Sequence, residues 1–267
     1  MESLDGMRFR TAAGGAFDAS AVRVVRHLKG DRRMPKWVYL AECGARQLLL
    51  KVRSIEGLKA RWRAVRGRSS LQLEAQNLAR AEVAGFAVPQ LVAVGTGGRV
   101  GLPDREALLV VWLKNHVCLR DKLELAAAEK DASAMAAVRN ISIELLARAR
   151  RAGLSDKDFG FHNLLMPSES GGEPVWTDVE RLFVADSADP EGTWSGAGSL
   201  LSSWWLSAGP DQQALEQTLS LVVGSLPEPR GGWRAIEKPL NRYIEGKIEW
   251  HLAHARTPAP PAHLSVS

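Results

Sequence analysis

Cysteine is close to absent. Cys43 and Cys118 are the two cysteines among 267 residues, and their separation fits no metal-ligand spacing. A disulfide framework is not needed at this length, and both thiols are expected to be reduced, as in a cytoplasmic protein. Long apolar runs are missing as well. The longest covers residues 107–113, far short of the roughly 20 residues that cross a bilayer. Residues 1–6, Met-Glu-Ser-Leu-Asp-Gly, carry acids and no apolar stretch, so no signal peptide is expected there. There is no internal repeat. A full glycine-rich nucleotide loop is lacking too. Gly95-Thr-Gly-Gly98 precedes no helical pattern and reads as a turn, not a phosphate cradle.

What is present is an ordinary globular composition, 45% hydrophobic, enough for one large domain or two lobes. Net charge is +5 and the pI is about 9.4, with arginine dominant. That balance favours an anionic partner: a nucleotide, a phosphorylated glycan, an anionic lipid or a nucleic acid.

Along the chain, residues 1–20 read as irregular. Residues 22–25, 37–40 and 47–52 read as a three-strand meander, with a basic turn over 29–36 that contains Gly30. Lys51 lies in the third strand among Leu48, Leu49, Leu50 and Val52. There its ammonium either meets an anion or snorkels to water. Residues 53–68 hold Arg53, Lys59, Arg61, Arg63, Arg66 and Arg68 around Trp62. They form a solvated face or a contact patch for phosphates or anionic lipid heads. A helix is expected over 70–84, capped by Ser70 and ended by Gly85. Its Glu74 shares the apolar face of Leu71, Ala75 and Leu78, so a cationic partner is expected, and Lys51 is the candidate. Strands follow at 88–94 and 107–112, then helices over 119–129 and from 131 or 133 to 151, stopped by Gly153. Beyond them come a loop rich in Gly, Asp and Ser, and helices over 200–207, 211–223 and 236–254. A Pro-rich tail over 257–267 is expected to be disordered.

Between the long helix and that loop stand Asp158, Asn163 and Asp178. Leu164, Leu165 and Met166 read as a strand, 167–174 as a turn, and Val175, Trp176 and Thr177 as a returning strand. Such a hairpin brings Asn163 near Asp178, with Asp158 beside them. Phosphoryl transfer asks for this set: a carboxylate and an amide oxygen to hold Mg²⁺, and a second carboxylate to accept the proton of the attacking hydroxyl. The plain alternative is an Asp capping a turn and an Asn within one.

Taken together, the order is a meander, Lys51, a helix with Glu74, more strands, helices, then Asp158, Asn163 and Asp178. It resembles the protein-kinase-like fold, and more particularly the lipopolysaccharide kinase family, the Kdo and heptose kinases of Gram-negative envelopes. The segments that carry the resemblance are Leu-Leu-Leu-Lys-Val-Arg (48–53), the run over 73–95 with Glu74, Gly85, Val88, Pro89 and Gly95 in order, and Ala-Gly-Leu-Ser-Asp-Lys-Asp-Phe-Gly-Phe-His-Asn-Leu-Leu (152–165). It covers roughly residues 20–210.

The resemblance implies an α+β, two-lobed architecture. Residues 1–113 would be an N-terminal nucleotide-binding lobe, an antiparallel sheet plus one main helix, and 114–256 a mainly helical catalytic lobe. It implies ATP and Mg²⁺ as cofactors. Lys51 would hold the α- and β-phosphates, Glu74 would orient Lys51, and Gly30 would sit in the loop over the phosphates. Val111 and Leu113 would flank adenine. Asp158 would be the base toward a sugar hydroxyl, and Asn163 and Asp178 would bind the metal. The acceptor would be a lipid-linked glycan, reached from the cytoplasmic side with peripheral contact to anionic membrane; no nucleic acid is expected. Departures are present. Asp156-Lys157 stand where the family has His-Arg before the base. Val179-Glu180-Arg181 follow the metal-binding Asp without the usual Phe or Gly, and Trp112 stands in the hinge where Glu is frequent. The departures flanking Asp158 and Asp178 favour the alternative of a catalytically silent nucleotide-binding or anion-binding scaffold, although all five chemically required positions are kept; a small-molecule or protein kinase on the same fold is a third reading.

Overall fold

The computed structural model describes residues 4, 6–30, 36–98, 102–168 and 172–254. The chain divides into two compact units, Met1–Lys114 and Asn115–Ser267.

The first unit is built on one antiparallel sheet. Its strands are β1 (Met7–Thr11), β2 (Ala16–Phe17), β3 (Val22–Lys29), β4 (Lys36–Cys43), β5 (Arg46–Ser54), β6 (Leu91–Gly97) and β7 (Arg105–Val111), in the order β2-β1-β6-β7-β5-β4-β3. Two helices, α1 (Leu58–Val65) and α2 (Ser70–Val83), lie in sequence between β5 and β6. Strands β5 and β7 are central, which accounts for their near-continuous apolar runs. Leu48, Leu50 and Val52 of β5 join Phe9, Tyr39, Ala41, Ala93, Ala107 and Leu109 in one core. Strand alternation turns Lys51 to the opposite face, where it is paired across the ladder with Leu108.

Residues 1–20 are not irregular throughout. Met7, Phe9 and Thr11 alternate in β1, Phe9 enters the core, and β1 pairs with β6 over Met7–Thr11. One short apolar alternation is enough once a partner strand supplies the other half of the ladder.

The second unit is mainly helical. It contains β8 (His116–Cys118), α3 (Leu119–Glu129), α4 (Ala132–Arg151), β9 (Leu154–Asp156), β10 (Leu164–Pro167), β11 (Val175–Trp176), β12 (Leu182–Val184), α5 (Pro190–Ala208), α6 (Gln212–Ser225) and α7 (Trp233–His254). The strands form two small sheets, β11-β10-β8 and β12-β9. Helix α5 is the hub, packing against α3, α4, α6 and α7 and burying Leu200, Leu201, Trp204 and Trp205. It starts ten residues before the expected 200, because Asp189 caps it by accepting from the Gly192 amide at 2.8 Å and Pro190 opens its first turn. The Gly and Ser residues that argued for a loop are what let neighbouring elements approach a buried helix, since a Cβ at Gly192, Gly196 or Gly198 would meet Arg150, Leu146 or Tyr243. The tail over 257–267 lies outside the described residues. Among the described residues no helix is long and apolar enough to cross a membrane.

Candidate active site

In the first unit Lys51 and Glu74 meet. The Nζ of Lys51 donates to Oε1 of Glu74, with the residues 6% and 2% exposed. Neither charge is tolerable there alone. What aims Glu74 is the start of α2. Ser69, not the expected Ser70, is its N-cap, and Gln72 Oε1 accepts from the Ser69 amide at 3.1 Å and from its hydroxyl at 2.6 Å, forming a capping box that a cap at Ser70, with Leu73 three residues on, would not allow. Glu106 of β7 reaches the same helix end, its Oε2 accepting from the Leu71 amide at 3.0 Å, and is itself buried. Its acid side chain sits on the rim of an apolar strand run, and nothing local in the sequence marked it. Arg53 of β5 donates to the Ser70 hydroxyl.

The remaining first-unit candidates are at strand ends. Gly30 closes β3 at φ 110°, and a Cβ there would stand 2.6 Å from the Lys36 carbonyl, so glycine is required at this close approach. Residues 31–35 of the basic turn lie outside the described residues. Val111 ends β7 with its amide on the Gln90 carbonyl at 2.9 Å; the Trp112 amide donates to Gln47 at 3.0 Å, and Leu113 follows.

In the second unit the structure assembles the expected loop and hairpin. Strand β10 pairs with β11 at Leu164 and Trp176. Phe159 and Trp176 pack edge to face, ring centres 5.2 Å apart, pinning the loop to the hairpin. The Asn163 amide nitrogen donates to the Asp158 carbonyl at 2.9 Å, and the Asn163 carbonyl accepts from the Thr177 amide at 2.8 Å and its hydroxyl at 3.1 Å. Asp178 follows in left-handed backbone, φ 53° and ψ 45°, a conformation that Asp tolerates better than most residues.

Helix α5 holds this loop from below. Ser203 accepts from the Phe161 amide at 3.2 Å, and Ser155 donates to the Gly192 carbonyl at 2.6 Å. The fully buried Arg150 of α4 donates to the carbonyls of Asp186 and Ser187 at 2.7 and 2.9 Å, fastening the segment that leads into α5. Helix α7 holds the loop from another side. Tyr243 donates to the Lys157 carbonyl, and Lys247 reaches Asp158 itself, Nζ on Oδ1. His162 stands 3.8 Å from the other carboxylate oxygen, Oδ2. Gly160 permits this, since a Cβ there would be 2.9 Å from the His162 ring. None of these holding residues was singled out in the sequence. Tyr243 and Lys247 lie four apart beside the buried stripe of Ile236, Leu240, Ile244 and Ile248, which was the one available signal.

The electrostatics separate two neighbouring carboxyls. Burial alone would raise the Asp158 carboxyl, but the neighbouring His162 ring and the charge and hydrogen bond of Lys247 hold it well below the usual carboxylate range. Asp156, fully buried, is pushed the other way, to about 7, first by burial and then by the charges of Asp158 and Asp178. The Asp158 amide donates to its Oδ1 at 2.8 Å. The loop therefore carries an ionised, half-exposed carboxylate beside a buried carboxyl that holds its proton up to about pH 7.

These groups also suit a divalent cation. The Asn163 amide nitrogen is spent on Asp158, which leaves Oδ1 as a ligand atom, and Asp178 adds a carboxylate where Asp156 already registers surplus negative charge.

No protein-family model matches the chain, and no curated protein matches it in sequence. Solved structures do. WaaP in complex with acyl carrier protein superposes with a TM-score of 0.56 at 16% identity, covering 87% of this chain and 90% of that one. The PknI kinase domain of Mycobacterium tuberculosis gives 0.47 at 14% identity, over 84% and 96%. The likeness to WaaP is one of fold: the chain has the two-lobed, protein-kinase-like α+β fold.

Proposed function

We propose that the chain is an ATP-dependent kinase that phosphorylates a sugar hydroxyl of a lipopolysaccharide core or a related envelope glycolipid. The observation that carries this reading is Asp158, a half-exposed carboxylate kept ionised by Lys247 and His162 on a loop fixed from two helices. Nucleotide binding alone has no use for such a group. In this reading Lys51, oriented by Glu74, meets the α- and β-phosphates of ATP, and Val111 and Leu113 meet adenine. Gly30 gives the loop that covers the phosphates its sharp exit. Asn163 and Asp178 hold Mg²⁺, which when bound neutralises phosphate charge. With Oδ1 occupied by Lys247, Oδ2 of Asp158 takes the proton of the sugar hydroxyl while that oxygen attacks the γ-phosphorus and ADP departs. A protein acting on a lipid-linked glycan in this way works at the cytoplasmic face of the inner membrane. Neither nucleic acid nor a stable disulfide enters the scheme.

Two departures favour the second reading, a silent nucleotide-binding scaffold: Asp156-Lys157 before the base, and Val179-Glu180-Arg181 after Asp178. A kinase for a small molecule or a protein side chain is the third. One assay separates them. The purified chain with Mg·ATP is incubated with envelope glycolipid extracts, sugars and model proteins, and the products are read by mass spectrometry. A mass gain of one phosphate on the glycolipid, lost in Asp158→Ala, supports the proposal. ATP binding with no phosphorylated product would give the scaffold reading, and a product among the sugars or proteins the third.

A further inference from the structure

Helix α1 does not look like an ordinary solvated face. Leu58, Trp62 and Val65 fall at positions i, i+4 and i+7, so they share one side of the helix. All three are exposed: 68%, 54% and 51%. On that helix only Ala64 is buried. Three large apolar side chains in line on a helix about 12 Å long are not the scattered exposures normal for a soluble surface.

The surroundings are cationic. Lys59, Arg63, Arg66 and Arg68 are exposed, and the first turn holds no acid. With Trp62 and Leu73 these four line an open cleft of about 550 Å³. Arg61 does not belong to the set, because it is partly buried and turns its Nε toward the Ile55 carbonyl at 3.4 Å. The surface therefore pairs an apolar ridge with a basic cleft beside it.

We infer that α1 is an in-plane docking element for a bilayer containing anionic phospholipid. Leu58, Trp62 and Val65 enter the interface, and lipid phosphates sit in the cleft of Lys59, Arg63, Arg66 and Arg68. The chemistry selects the occupant. A ridge of exposed apolar side chains on a short helix, with cations flanking the cleft beside it, matches the shallow depth to which interfacial helices sink. Tryptophan suits the boundary between headgroups and acyl chains. The flanking cations complement anionic headgroups, which attract each such charge near the surface. A glycolipid acceptor would be met at such a surface, yet α1 binds lipid whether or not the chain transfers phosphate.

Vesicle flotation of the full chain tests this, using phosphatidylcholine vesicles with and without phosphatidylglycerol. The wild type is expected to float with the anionic vesicles only, and to be released as salt rises from about 0.1 to about 0.5 M. Arg63→Glu with Arg66→Glu, and separately Leu58→Ser with Trp62→Ser, should each weaken flotation more than about tenfold. Circular dichroism should be unchanged, because all four side chains are exposed. Wild-type flotation by both double variants, or no flotation by the wild type, would overturn the inference. So would retention of the chain on immobilised poly-aspartate without vesicle binding, which would mark an acidic-protein surface instead.

Discussion

Asp156 and Asp158 are two residues apart and titrate in opposite directions, and each shift can be tested alone. The Asp156 carboxyl keeps its proton to about pH 7 in the folded chain, against about 4 when unfolded. The folded state is then the tighter proton binder between those values, so stability falls as pH rises from about 4 to about 7 and levels off above. The whole penalty is on the order of 4 kcal/mol. Asp156→Asn can still accept the Asp158 amide and carries no charge. In metal-free buffer its urea midpoint should therefore lose most of the wild-type fall over that window and lie above wild type at pH 8. An unchanged slope would move the buried proton elsewhere. Asp158 depends on Lys247, its partner across 89 residues of chain. Lys247→Met should raise the Asp158 carboxyl toward the ordinary range, read by carboxyl-carbon NMR titration, and Lys247→Arg should largely restore it. That pairing was not legible in the sequence. Spacing shows which residues share a loop or a helix face, and nothing local relates a lysine on the last helix to a loop so far upstream. Lys51 and Glu74 were legible for the opposite reason: each is a charge inside an apolar pattern, so each announces a missing partner.

Elements were legible where the pattern was strong and the ends were punctuated. Helix α3 lies at its expected bounds, and α4 begins after Asp131, whose side chain accepts from the Ala134 amide at 2.9 Å. The first half of helix α5 and strand β1 were missed because tertiary packing overrode weak local preference. The first half of α5 is small residues that gain from close approach, and β1 gains its ladder from β6, some eighty residues onward. The start of α2 shows how such supports act on a site. Its first turn is fixed by Gln72 from within and by Glu106 from the sheet, and Glu74 sits one turn further on. A carboxylate accepting a buried helix-terminal amide is worth more than a neutral bond and complements the helix dipole. Glu106→Ala should therefore cost about 2 kcal/mol in urea unfolding, and nucleotide affinity should fall with it because the helix that aims Glu74 is loosened. Full stability in this variant would show that the capping box suffices.

At the scale of the whole molecule, the two units carry separable halves of the proposed chemistry: the Lys51–Glu74 pair in the first, the Asp158, Asn163 and Asp178 set in the second. Net charge of +5 draws anionic ligands to either and selects none, so thermal linkage is the sharper probe. A ligand that binds only the folded chain stabilises it by RT ln(1 + [L]/Kd), about 2.7 kcal/mol at a hundredfold excess over Kd. For a chain of this size that is a rise in Tm of roughly 5–10 °C. Mg·ATP should produce it in the wild type, and ATP with EDTA should produce much less, since phosphate charge is then met by side chains alone. Asp178→Ala should lose the magnesium-dependent part. Lys51→Met should lose most of the shift with or without the metal. Asp158→Ala should keep the full wild-type shift while showing no phosphate transfer, because the proton acceptor acts at the acceptor hydroxyl and not at the nucleotide. The pattern across the three variants matters more than any one of them. Loss of the shift in Asp158→Ala would make that carboxylate a nucleotide or metal ligand instead of the base, and absence of any magnesium-dependent shift in the wild type would remove Asn163 and Asp178 from the metal.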